Sequence, residues 1–133
     1  MNTFKLQIVT PDGEKFSGLA ESLLIRTDEG DTEILRGHAD YIAAVGTGRA
    51  RIKTDGKDRY ASASRGIVTV KGGEVTLAAV TFEFSEDIDI DRAKRAKSEA
   101  EVKIREAKDA NTLASAEAKL KRAISRIKAY ELR

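Results

Sequence analysis

The chain has 133 residues, a formal net charge of +2 from 24 Lys+Arg against 22 Asp+Glu, one His, one Pro and no Cys or Trp, and its length suits one domain or a small domain with an appendage. Without cysteine there are no disulfides, thiolate metal sites, iron–sulfur clusters or cysteine nucleophiles, and a single histidine, His38, excludes any site that needs two imidazoles. No window approaches the ~18 apolar residues of a membrane span, and the opening residues lack the apolar core of a signal peptide, so a soluble, intracellular protein is expected.

Phe4, Leu6 and Ile8 alternate with Lys5 and Gln7, the two-residue period of a half-buried strand. Thr10-Pro11-Asp12-Gly13 follows as a turn in which Pro presets φ and Gly accepts a positive one. Residues 19–27 read as a further strand, closed by Asp28-Glu29-Gly30. Residues 49–53 and 59–63 flank Asp55-Gly56, and residues 67–70 and 75–80 flank Lys71-Gly72-Gly73-Glu74; both patterns predict β-hairpins. All ten glycines lie between Gly13 and Gly73, and six of the seven aromatics precede residue 85. Short strands with turn signals between them predict a β-sandwich or barrel.

From Ser85 onward there is no Gly or Pro, and Ala, Lys, Arg and Glu, all strong helix formers, take over. The chain therefore divides into a β domain over residues 1–84 and a helical domain over residues 85–133, an α+β arrangement. Ile90, Ala93, Ala96 or Lys97, Ala100, Ile104 and Ala107 form one helical stripe; Leu113, Ala116, Leu120, Ala123, Ile124, Ile127 and Tyr130 form a second. Residues 108–112 interrupt the pattern with turn and N-cap formers. Two antiparallel helices meeting along alanine-rich seams follow. An alanine buries far less than the ~1.5–3 kcal/mol of a buried Leu or Ile. Two readings stand: a hairpin that detaches as intact helices, or one that stays permanently docked. From residue 86 onward 13 Lys+Arg face 10 Asp+Glu, so the helical part is the basic one.

Few residues suggest chemistry. His38, in Arg36-Gly37-His38-Ala39-Asp40, is the one candidate for a small hydrolase, but there is no nucleophile elbow. No P-loop or dinucleotide glycine fingerprint occurs. Arg122 and Arg126, four apart, project from one helical face, and an antiparallel hairpin brings that face toward Arg92 at the start of the first helix. Three arginines near a helix N-terminus make a phosphate site; the competing reading is a solvated charged face.

Four motifs resemble the epsilon subunit of bacterial F-type ATP synthase. They are Val9-Thr10-Pro11-Asp12-Gly13, the loop from Gly30 through Ile34-Leu35-Arg36-Gly37-His38, Ser64-Arg65-Gly66-Ile67-Val68-Thr69-Val70, and Ile88-Asp89-Ile90-Asp91-Arg92-Ala93. Arg36 stands where that family usually has proline, Arg65 where it often has glycine, and Thr32 where it usually has an apolar residue. The resemblance implies a ten-stranded β-sandwich followed by the two-helix hairpin. It further implies a non-catalytic rotor subunit on the cytoplasmic face of the cell membrane, bound there only through the assembled complex. Its partners would be the gamma subunit and the c-ring, with rotor contacts near Asp31 and His38, and the alpha and beta subunits when the hairpin extends to inhibit hydrolysis. No cofactor is required, but ATP is implied as a regulatory ligand at Glu83, Ile88, Asp89, Arg92, Ala93, Arg122 and Arg126. The alternative is a free-standing adaptor that binds nucleic acid through its basic helices.

Overall fold

Ten strands fold in succession in the computed structural model, which describes residues 2–133. They are β1 (Phe4–Thr10), β2 (Gly13–Ala20), β3 (Ser22–Thr27), β4 (Gly30–Leu35), β5 (Tyr41–Val45), β6 (Gly48–Thr54), β7 (Lys57–Ala63), β8 (Gly66–Lys71), β9 (Glu74–Ala79) and β10 (Phe82–Phe84). Met1, first residue of the expected β domain, lies outside the described residues.

The strands form two layers. One runs β10-β7-β6-β3, with β4 also paired to β3; the other runs β5-β8-β9-β1-β2. A single residue pair, Thr27 opposite Val45, joins the layers on one side. On the other, Thr54 Oγ1 donates to the Leu19 carbonyl at 3.1 Å and the Gly56 N–H donates to Glu21 at 3.3 Å. These contacts draw the β6–β7 turn onto the end of β2, so the sandwich is nearly a closed barrel. Such closure protects strand edges that would otherwise present unpaired backbone groups.

The expected alternation is present. Phe4, Leu6 and Ile8 point inward, and with Leu23, Ile25, Ile34, Ile52, Val68 and Leu77 they make a core from which water is excluded. Each such Leu or Ile contributes roughly 1.5–3 kcal/mol by burial. Both expected hairpin turns take positive φ: Asp55 (52°) and Gly56 (73°) between β6 and β7, Gly72 (57°) and Gly73 (80°) between β8 and β9. Those are the signs a two-residue turn needs to match the strand twist. The predicted single strand over 19–27 is instead divided at Glu21. Its N–H turns to the Lys53 carbonyl at 2.7 Å, where the chain leaves β1 as a partner and takes up β6.

A 3-10 turn over Ser85–Asp87 leads into two helices, α1 (Ile90–Glu106) and α2 (Ala110–Glu131). Each begins at an aspartate cap: Asp89 accepts the Arg92 N–H at 3.1 Å, and Asp109 accepts the Thr112 N–H and hydroxyl, both at 2.8 Å. These caps satisfy helix N–H groups that have no intrahelical partner. The three residues between the helices reverse the chain, and α1 packs on α2 while α2 packs on β6 and β7. Ala93, Ala100, Ala116 and Ala123 are buried as the stripes predict, whereas Leu113 stays 36% exposed. Beyond those stripes, α2 also buries Ser125 and Ala129, because a second face of this helix meets the sandwich.

Gly66 opens β8 where a Cβ would stand 2.0 Å from the Ala78 carbonyl oxygen and 2.7 Å from the Ala79 Cα. This backbone of β9 cannot yield as a flexible side chain would. Gly66→Ala is expected to destabilise the sandwich by more than about 2 kcal/mol in urea unfolding.

Candidate functional site

Where α2 crosses the outer face of β7, the contact is made by small and polar side chains. The Ser62 and Ser125 hydroxyls lie 2.7 Å apart and are buried. Next to them Arg126 Nε donates to Glu83 on β10 at 2.8 Å, a pair that ties α2 to the last strand. Lower on the same edge, the Arg59 guanidinium sits 3.7 Å from the centre of the Phe84 ring and donates to Glu86 at 2.6 Å. That hydrogen bond holds the Glu86 carboxyl below the usual glutamate range. It fastens the linker that precedes α1 to the sandwich.

A cleft of about 570 Å3 opens between the two helices and the end of the sandwich. This lies within the ~300–1,000 Å3 range of small-molecule sites. Arg92 and Ala96 line it from α1, Arg122 and Arg126 from α2, and Glu83 and Thr81 from the β9–β10 edge. Arg126 is paired with Glu83, but Arg92 and Arg122 make no ion pair among the described residues. Uncompensated guanidinium groups around one cavity suit a phosphate, whose oxygens accept forked N–H donors. Glu83 adds an acceptor for amino or hydroxyl groups.

The expected ligand residues divide by role. Glu83, Arg92, Arg122 and Arg126 converge on the cleft. Ile88 and Ala93 are buried, 6% and 0% exposed, and so shape the base of α1 instead of presenting polar groups. Asp89 is committed to capping α1. Asp31 is the second residue of β4, and His38 follows three residues after its last residue, Leu35. Asp31 pairs with Arg26 at 3.1 Å, while His38 lies against Tyr41 (ring centres 5.2 Å apart) with Nδ1 2.7 Å from the Ala39 carbonyl oxygen. Neither a hydroxyl nor a carboxylate bonds the His38 ring among the described residues, so the geometry for a serine nucleophile is missing. No group of three or more His, Asp or Glu that would hold a metal is found among them either, nor a helix long and apolar enough to cross a membrane.

Sequence reading missed the Ser62–Ser125 bridge and the Arg59–Glu86 clasp. A serine on a helix otherwise read for apolar period gives no signal that it will be buried. The Arg59 and Glu86 pairing depends on which strand β10 joins.

Two family models match, the ATP synthase delta/epsilon chain beta-sandwich domain over residues 3–85 and the long alpha-helix domain over residues 86–131. The chain is 39% identical to the ATP synthase epsilon chain of Ruminococcus albus, with 96% of each chain covered. It is 37% identical to that of Bacillus velezensis, again with 96% of each covered. Among solved structures it resembles a chain of the Euglena gracilis mitochondrial ATP synthase OSCP/F1/c-ring assembly in rotational state 1 (TM-score 0.83, 23% identity, 98% of this chain and 82% of that one). It also resembles a chain of the Tetrahymena thermophila mitochondrial ATP synthase central stalk and c-ring (TM-score 0.69, 13% identity, 95% of each). At these identities the two structures speak for the fold.

Removing one hydroxyl of the buried pair leaves the other without a partner, which costs ~1–3 kcal/mol. Ser62→Ala or Ser125→Ala is therefore expected to loosen α2, read as faster proteolysis within α2. The double replacement is expected to be milder than the sum of the two singles. A separate expectation concerns acid. The folded Glu86 pKa is depressed, so its contact with Arg59 contributes fully above the ordinary glutamate value and is lost as pH falls through the lowered one. NMR titration of Glu86 should show that depression, and Arg59→Gln should abolish it.

Proposed function

The chain belongs to the ATP synthase delta/epsilon chain family over both its sandwich and its helices, and from that premise we propose that it is a non-catalytic central-stalk subunit whose helical hairpin regulates ATP hydrolysis. In this reading the sandwich grips the gamma subunit and rests on the c-ring at the cytoplasmic face of the membrane. Asp31 and His38 serve as rotor contacts. The hairpin either lies on the sandwich or extends toward the alpha and beta subunits.

One observation carries the regulatory part: Glu83, Arg92, Arg122 and Arg126, from a strand and both helices, surround one cleft that exists only while the hairpin is docked. A ligand bound there stabilises the docked state alone, by RT ln(1+[L]/Kd), about 2.7 kcal/mol at a concentration 100 times Kd. The arginines suit the phosphates of ATP and Glu83 suits its base or ribose. Falling ATP then releases the hairpin to stop wasteful hydrolysis. The alanine seam supports this reading, since helices held by small side chains separate without unfolding the core. A nucleic-acid adaptor is not favoured, because both family matches, over the sandwich and over the helices, are to ATP synthase chains.

Calorimetry of the full chain at millimolar ATP tests the ligand assignment. Binding is expected, and Arg122→Ala and Arg126→Ala should each weaken it by about tenfold, the loss of one charge-assisted contact. No binding, or binding indifferent to both replacements, removes ATP sensing and leaves the stalk role standing.

A further inference from the structure

The cleft extends beyond the arginines. Its lining also includes Lys119 on α2, Lys103 on α1 and Lys15 on β2, together with Asp12 and Glu99. Lys15 belongs to the sandwich, two residues beyond the turn in which Thr10 Oγ1 accepts the Asp12 N–H at 3.2 Å and donates to the Gly13 carbonyl at 3.1 Å. That turn is tight, so the lysine projects from a fixed base. None of the three lysines makes an ion pair among the described residues. Lys119, Arg122 and Arg126 follow one stripe of α2, at steps of three and four. Seven residues of helix rise about 10 Å, so the three cations of α2 are spread over that length along the cleft they line.

We propose that Lys15 and Lys119 form a terminal-phosphate subsite, so that the cleft takes an extended polyphosphate whose last phosphate touches the sandwich hairpin. This rests on the reading of the cleft as a phosphate site, and it names which part of the ligand is discriminated. The base of the cleft, at Glu83 and Arg126, takes the nucleoside end; Arg122 takes the inner phosphates; Lys119 and Lys15 take the outermost one. The consequence is mechanical. α1 packs on α2, and α2 makes the main contact of the hairpin with β6 and β7, so the helices are held to the sandwich chiefly through α2. A triphosphate reaching Lys15 adds a further attachment between helix and sandwich, which a monophosphate is too short to supply. Asp12 and Glu99 keep the surplus charge of this end small, so reversing a single lysine turns it repulsive to phosphate.

The test is calorimetry of the full chain in magnesium-free buffer with three probes: inorganic tripolyphosphate, ATP and AMP. Lys15 is exposed and lacks an ion pair, so Lys15→Glu is expected to leave thermal unfolding unchanged; Lys119→Glu, on an exposed face of α2, is the second variant. Each should weaken tripolyphosphate and ATP by about tenfold or more, and change AMP by less than about twofold. Equal weakening of all three probes, or of none, overturns the subsite. If the native chain binds ATP and Arg122→Ala weakens it while the lysine variants do not, the subsite falls and the nucleotide reading stands. If it binds tripolyphosphate through the lysines but not ATP, the nucleotide reading falls and the subsite stands. Absence of binding by any probe overturns both.

Discussion

The docking of α2 on the outer face of β7 is the contact from which the rest of the arrangement follows. Two hydroxyls, Ser62 and Ser125, meet at 2.7 Å in a buried seam, and a hydrogen bond of that length tolerates little sliding. It therefore sets the register of α2 against the sheet. With the register set, Arg126 reaches Glu83, Arg122 and Lys119 face the same cleft one and two turns along, and α1 takes its place by packing on α2. A larger apolar residue at either serine would push the helix from the strand and disperse the arginines.

The seam differs from the sandwich core in the kind of interaction that holds it. The core joins Leu, Ile, Val and Phe from all its layers, and opening it exposes several side chains worth roughly 1.5–3 kcal/mol each. Between the helices and against β7, the buried residues are chiefly Ala and Ser. A hydrogen bond exchanged for water costs only ~0.5–1.5 kcal/mol net, so this seam is held more weakly for each buried residue than the core is. The linker is treated differently again: Arg59 clasps both Phe84 and Glu86, and Ile88 is buried. These contacts leave Asp89, at the head of α1, as the point where a departing hairpin would turn. In the proposed regulation, a weakly held seam, a held linker and a cleft lined from strand and helices let a ligand favour the docked position.

Much of this was legible in the residues because it depends on local periods. Phe4, Leu6 and Ile8 had one inward face whatever strand they met, and the Asp55-Gly56 and Gly72-Gly73 turns could adopt the φ signs a hairpin needs without help from distant parts. Asp109 capped α2 as the polar run at 108–112 indicated. The strand over 19–27 was misread as continuous because no glycine or proline interrupts it; the break at Glu21 arises from a change of pairing partner, which no local pattern records. Of the site, the arginine pair on α2 followed from its spacing. Glu83, by contrast, entered through resemblance to a family, since a lone glutamate in a short strand carries no sign of its role.

By itself the sequence determined the division near residue 85, the alternating strands, the two capped helices and the Ala-rich stripes, all consequences of side-chain size and period within a few residues. Tertiary structure alone decided that Ser62 would face Ser125, that Arg59 would find Glu86, and that Lys15 would share a cleft with Lys119. Each of those pairs is separated by more than 25 positions in the chain. Their meeting depends on which strands pair and on the register at which α2 lies across them. The opening surplus of two positive charges was similarly uninformative until the fold placed unpaired Arg92, Arg122, Lys15 and Lys119 around one cavity, because electrostatic attraction depends on distance in space and is blind to position in sequence.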